Sequence, residues 1–111
     1  MKLTFLELPA FTRAILEVGN DETLRALQNE LIQQPEKGDV IQGGAGLRKV
    51  RVALPGRGKR GGARAIYLLL PDIKTVVFVT LYTKAEKTDL TPEEKKTVTR
   101  LVAVIKQELK P

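Results

Sequence analysis

Leu47-Arg48-Lys49-Val50-Arg51-Val52-Ala53-Leu54 opens the part of this chain that decides its fold. Leu47, Lys49, Arg51 and Ala53 alternate with Arg48, Val50, Val52 and Leu54, the two-residue period of a strand with a mixed outer face. Pro55-Gly56-Arg57-Gly58-Lys59-Arg60-Gly61-Gly62 follows as a turn region, in which glycines relax the backbone and charges keep the loop wet. Ala63 to Leu70 reads as a second strand, Pro71-Asp72 as a turn, and Lys74 to Tyr82 as a third, β-branched strand. Three consecutive strands with short connections predict an antiparallel meander.

Helical signals flank the meander on both sides. Pro9 and Ala10 open a helix whose apolar positions Phe11, Ile15, Leu16 and Val18 precede a break at Gly19-Asn20. Asn20 caps a second helix, with Asp21 and Glu22 at its positive end and Leu24, Leu27 and Leu31 on one face; Gln34-Pro35 ends it. Glycine-rich Pro35 to Gly46 reads as a loop. After the strands, Thr91-Pro92-Glu93-Glu94 is a capping box with Pro at the first helical position. Val98, Leu101, Val102, Ile105 and Leu109 then recur at helical spacing and should pack on the sheet. N-terminal helices, an antiparallel β-meander sheet and a C-terminal helix make a small α+β fold. A chain of 111 residues is large enough for one domain, spanning 1–111, and too small for two.

The charge is concentrated in the meander. No acidic residue lies between Asp39 and Asp72, a segment that holds Arg48, Lys49, Arg51, Arg57, Lys59, Arg60 and Arg64. The whole chain has 19 Lys and Arg against 13 Asp and Glu; without those seven cations the balance is 12 against 13. An excess held in one segment reads as a surface for a polyanion, with RNA or DNA phosphate the first expectation.

Composition closes several other routes. With no Cys there is no disulfide framework and no thiolate ligand or nucleophile, and with no His zinc chemistry and the usual neutral-pH acid/base are missing. The chain has no Ser, which excludes a serine triad. Gly56-x-Gly58 and Gly61-Gly62 complete neither a Walker loop nor a dinucleotide fingerprint. Glu7 interrupts the apolar patch Leu3 to Leu6, and the runs Ala65–Leu70 and Val76–Leu81 are too short to span a bilayer. The expectation is a cytoplasmic protein with no membrane partner, no metal and no cofactor.

Several ordered blocks carry a family likeness. Gly46-Leu47-Arg48-Lys49-Val50-Arg51, then Gly58-Lys59-Arg60-Gly61-Gly62-Ala63-Arg64-Ala65-Ile66-Tyr67, then Leu81-Tyr82-x-Lys84-x-Glu86-Lys87-x-Asp89-Leu90 resemble the RelE/HigB-type toxins. The likeness extends upstream through Leu24-Arg25-Ala26-Leu27-Gln28 and Gly38-Asp39-Val40-Ile41. The resemblance implies a compact α+β toxin that cleaves mRNA, usually on the ribosome, without metal or cofactor. It also implies a cognate antitoxin, which in the HigB-like branch typically carries a helix-turn-helix DNA-binding domain. The ParE relatives share the fold but poison DNA gyrase without catalysis, so the fold alone does not fix the function. A plain RNA-binding module is a third reading, and the aromatic content of 5% counts against it.

RNA cleavage through a ribose 2′-hydroxyl needs charge at the phosphate, a proton acceptor and a proton donor. Arg64, rooted at the start of a strand, matches the family's phosphate-stabilising arginine, because a planar guanidinium holds two phosphate oxygens and stays ionised. Lys49 and Arg51, two apart on one face, correspond to the paired basic positions of the RelE pattern. Lys49, crowded by arginines, is the candidate base, while Arg51 binds charge only. Tyr82, Lys84 and Lys87 end or follow the third strand, where they can stack a base, donate a proton or bind phosphate. Arg48, Arg57, Lys59, Arg60 and Lys87 are expected to contact RNA. Ala85 stands where the RelE type has a catalytic Arg and Thr91 where it has a Tyr, so Tyr82 and Lys84 fit the HigB-like variant better. Plainer readings compete: a solvated strand face for Lys49 and Arg51, a structural ion pair for Arg64, core for Tyr67 and Tyr82, and a turn-pinning role for Asp89.

Overall fold

The computed structural model describes residues 2–87 and 89–109; the side chains at positions 58–60, which include the expected RNA contacts Lys59 and Arg60, lie outside the described residues. The chain runs β1 (Thr4–Glu7), α1 (Pro9–Val18), α2 (Asp21–Gln33), β2 (Asp39–Val40), β3 (Arg48–Leu54), β4 (Gly58–Leu70), β5 (Thr75–Thr83) and α3 (Pro92–Glu108). The five strands form one sheet in the order β1-β5-β4-β3-β2. Its centre is the expected meander, with β3, β4 and β5 antiparallel. No helix among the described residues is long and apolar enough to cross a membrane.

Alternation in β3 to β5 divides the interior into two layers. Val50, Val52, Leu54, Ala63, Ala65, Tyr67, Val76 and Phe78 pack under α1 and α2 with Phe11, Ile15, Leu27 and Leu31. Ile66, Leu68, Val77, Val79 and Tyr82 pack on the other face with Val98, Val102 and Ile105 of α3. Both capping signals act as read. The Asn20 side chain accepts from Thr23 N and the Thr91 hydroxyl accepts from Glu94 N, each with the reciprocal bond in place.

Three features depart from the sequence reading. The apolar patch near the N-terminus is an edge strand, parallel to β5 in the register Thr4↔Thr75 to Glu7↔Phe78, so the sheet is mixed. Its Phe5 stacks on Phe78 at 5.6 Å, which gives so short a strand a side-chain anchor as well as a ladder. The loop after α2 contains β2, held against β3 by Asp39↔Lys49 and Val40↔Arg48. The glycine-rich turn is shorter than expected: β4 begins at Gly58, and the bend is closed by Arg57 N donating to Leu54 O at 3.0 Å, with Gly56 at φ 75°. Pro71–Ile73 is a single 3-10 turn.

Tyr67 is core, and it also fastens the loop between α2 and β2. Its hydroxyl accepts from Gly38 N at 2.9 Å and donates to Pro35 O at 2.8 Å. The approach is so close that a Cβ on Gly38 would meet the Tyr67 ring at 2.7 Å. Tyr67→Phe should therefore strand the buried Gly38 N–H and lower stability by about 1–3 kcal/mol, seen as a lower urea midpoint at unchanged slope.

Candidate phosphate-binding and catalytic face

Strand register places three of the expected site residues in one row. Arg51 on β3 stands directly opposite Arg64 on β4, and Arg64 stands directly opposite Tyr82 on β5. Lys49 lies on the same face, one step along β3 and opposite Ile66. This is the α3 side of the sheet.

Tyr82 joins the row because β5 is irregular. Ile66 pairs with Thr80 but Tyr67 pairs with Phe78, so Val79 is an extra residue in β5. Strict alternation from Phe78, which faces α1 and α2, would send Tyr82 to that same side. The bulge resets the parity: Leu81 packs in the first layer and Tyr82 in the second.

The row has unusual electrostatics. Like charges directly opposite one another on a sheet are unfavourable, and among the described residues neither Arg51 nor Arg64 has a carboxylate within salt-bridge distance. The Arg64 guanidinium makes only a long 3.4 Å contact to the Ala63 carbonyl. The structural ion pair expected as the plain reading of Arg64 is not formed among the described residues. Two arginines opposed in the ladder, with no carboxylate partner among the described residues, suit an anion held between them.

Around this pair lie two carboxylate-held lysines. Lys49 Nζ sits 3.4 Å from Asp89 Oδ1, so the surroundings of Lys49 include an anion as well as the expected arginines. Asp89 also accepts from Leu90 N at 3.1 Å, which is the turn-pinning role read from the sequence. Lys87 pairs with Glu94, and its Nζ lies 5.7 Å from the centroid of the Tyr82 ring. In the sequence Glu94 reads as a capping residue and Asp89 as a turn-pinning one, and their pairing with the two lysines is visible only in the folded chain.

Beneath this cover the Tyr82 hydroxyl is buried and has no hydrogen-bond partner among the described residues. Its pKa is raised by burial first and by Asp89 and Glu94 next, with Arg64 acting in the opposite direction. The phenol therefore keeps its proton across the neutral range and is available only as a donor or neutral acceptor.

Other expected contacts lie elsewhere. Arg48 is on the α1/α2 face, where its guanidinium donates to Gly38 O at 2.8 Å and Glu36 O at 3.2 Å. Arg57 is exposed at the β3–β4 bend, and Lys84 is exposed just beyond β5. Thr91, the position of the RelE-type Tyr, is committed to capping α3.

The loop and helix around the face carry an acid-sensitive element. Glu94 has its pKa lowered, chiefly by the hydrogen bond from Lys87, and Glu86 chiefly by the N–H of Thr83. A lowered folded-state value contributes stability above the unfolded value, about 4.3, and that contribution is lost as pH falls through the folded value. Melting temperature should drop as pH falls below about 4.3, and less steeply in a Glu86→Gln, Glu94→Gln double variant.

Helices on both faces of a five-stranded sheet, with cations gathered in one row beside α3, define a small α+β protein with a concentrated basic face. Residues 14–110 match the family described as the RelE toxin of the RelE/RelB toxin–antitoxin system. This chain belongs to the RelE family of toxins. Its fold is similar to that of a doubly substituted E. coli RelE toxin in the free state, at TM-score 0.65 and 12% identity over 92% of this chain and 99% of that one. The toxin fold is likewise matched in the intact E. coli RelBE toxin–antitoxin complex, at TM-score 0.58 and 14% identity over 80% of this chain and 100% of that one. A crystal of the isolated E. coli RelE toxin gives TM-score 0.57 and 14% identity, covering 90% and 99% of the two chains.

Proposed function

We propose that this toxin is a metal-independent endoribonuclease that cuts mRNA on the ribosome by attack of a ribose 2′-hydroxyl on the adjacent phosphate. The observation that carries this reading is the row Arg51–Arg64–Tyr82, in which two arginines with no carboxylate partner among the described residues stand opposite each other in the ladder, next to a buried tyrosine. The scissile phosphate lies between the arginines, whose charge grows more valuable as the non-bridging oxygens gain negative charge. Tyr82 protonates the leaving 5′-oxygen. In the Lys49–Asp89 pair the carboxylate favours the ammonium form of Lys49, so Lys49 binds phosphate and Asp89 is the group able to accept the 2′-hydroxyl proton. Lys84 and Lys87, with Arg57, Lys59 and Arg60 at the far end of the hairpin, hold flanking phosphates.

The HigB-like branch fits these assignments, since Tyr82 and Lys84 supply what Ala85 and Thr91 do not. An antitoxin with a helix-turn-helix domain follows from that placement. The rival reading is a ParE-like gyrase inhibitor, which has no use for an arginine row poised over a phenol. The two are separated by adding the protein to a cell-free translation system and, in parallel, to a gyrase supercoiling assay. Message cut within codons, leaving 2′,3′-cyclic phosphate ends, with supercoiling unaffected, is the expected result. Intact message with blocked supercoiling would place the chain with the gyrase inhibitors.

A further inference from the structure

Beyond Lys49 the outer edge of β3 is open, because β2 pairs only at Arg48 and Lys49. A cavity of about 240 Å³ occupies that place, lined by Lys37, Asp39, Lys49, Val50 and Arg51. That volume is enough to admit a single heterocyclic base. Asp39 stands opposite Lys49 in the ladder and so projects to the same face as the arginine row.

The charges of this cavity are already partly assigned. Lys49 is turned to Asp89 at 3.4 Å and Lys37 to Glu30 at 2.9 Å. Asp39 has no ion-pair partner among the described residues. An exposed carboxylate at the edge of a basic face is unfavourable for binding phosphate and suits a ligand group with donors to give.

We infer that this cavity is a nucleobase subsite selective for guanine, with Asp39 as the residue that reads the base. Guanine presents N1–H and N2–H side by side, which match the two oxygens of one carboxylate, with the O6 acceptor next to them for Lys49 or Arg51. Adenine sets its N1 acceptor against the carboxylate, and uracil and cytosine each offer a single donor beside acceptors. Each therefore leaves the carboxylate facing a lone pair, a repulsive element as useful to selectivity as the attractive one. The inference rests on the proposed RNA-cleaving reading of this face and adds a base preference to it.

The test is fluorescence anisotropy with uncleavable 2′-O-methyl tetranucleotides in which one position at a time is guanine, adenine, cytosine or uracil. Wild-type protein should favour guanine at one position by roughly tenfold over adenine. Asp39→Asn and Asp39→Ala, at unchanged melting temperature, should lose that preference while binding the adenine probe as well as wild type or better. Equal binding of all four bases by wild type, or a guanine preference that survives Asp39→Ala, would overturn the subsite. Weakened antitoxin binding in the variants with base preference intact would overturn it equally and assign Asp39 to the partner protein. The readout does not depend on cleavage: guanine selectivity in a protein that leaves message intact would retain the subsite and reject the nuclease reading.

Discussion

Arg64→Ala should slow single-turnover message cleavage by about 10²–10³-fold, the cost of removing one preorganised donor of roughly 3–4 kcal/mol from a developing oxyanion. Stability should not fall with it. Arg64 has no carboxylate partner among the described residues, and its removal relieves the repulsion from Arg51 directly across the ladder. The melting temperature is therefore expected to stay level or rise slightly. Arg64→Lys keeps the charge but not the two-pronged fork, and should fall between the alanine variant and wild type. A large loss of stability in Arg64→Ala with cleavage retained would make Arg64 a structural residue and remove the centre of the site.

The second large effect is at Tyr82. Tyr82→Phe should reduce cleavage by about 10²-fold or more, within the range for losing a positioned proton donor. Its effect on stability distinguishes it from Tyr67→Phe. The Tyr67 hydroxyl satisfies a buried N–H and a carbonyl, whereas the Tyr82 hydroxyl is buried with no hydrogen-bond partner among the described residues. Deleting an unsatisfied group removes a desolvation penalty, so Tyr82→Phe should be neutral or slightly stabilising. Chemical denaturation of the two variants beside wild type reads this contrast directly. Equal destabilisation in both would mean that the Tyr82 hydroxyl has a structural partner and is not held in reserve for a substrate oxygen.

Much of the fold is legible because its signals are local. The caps at Asn20 and Thr91, the alternation in Arg48–Leu54 and the helical stripe Val98–Val102–Ile105 each need only a few neighbouring residues to be read. β1 escapes such reading because its partner β5 lies some 70 positions away and four residues carry no clear period. The site divides along the same line. Arg51 and Arg64 can be placed on one face from strand alternation, but the address of Tyr82 depends on a bulge at Val79 that the β-branched run Val76–Val79 does not announce. Asp89 reaches Lys49 across 40 positions of sequence, and only the folded chain shows that the expected base has an anion beside it. Asp39 is hidden for a related reason: in sequence it belongs to a glycine-rich loop, and two ladder pairs turn it onto the cationic face.

The most direct test of the arginine–phenol site is cleavage of a ribosome-bound message in which one codon carries a 2′-deoxyribose immediately upstream of the expected cut. Wild-type toxin should cut the all-ribose message to a 2′,3′-cyclic phosphate and a 5′-hydroxyl and leave the substituted bond intact. Cleavage of the substituted bond at a comparable rate would contradict the account, because the nucleophile would then not be the ribose hydroxyl for which Arg51, Arg64 and Tyr82 are arranged.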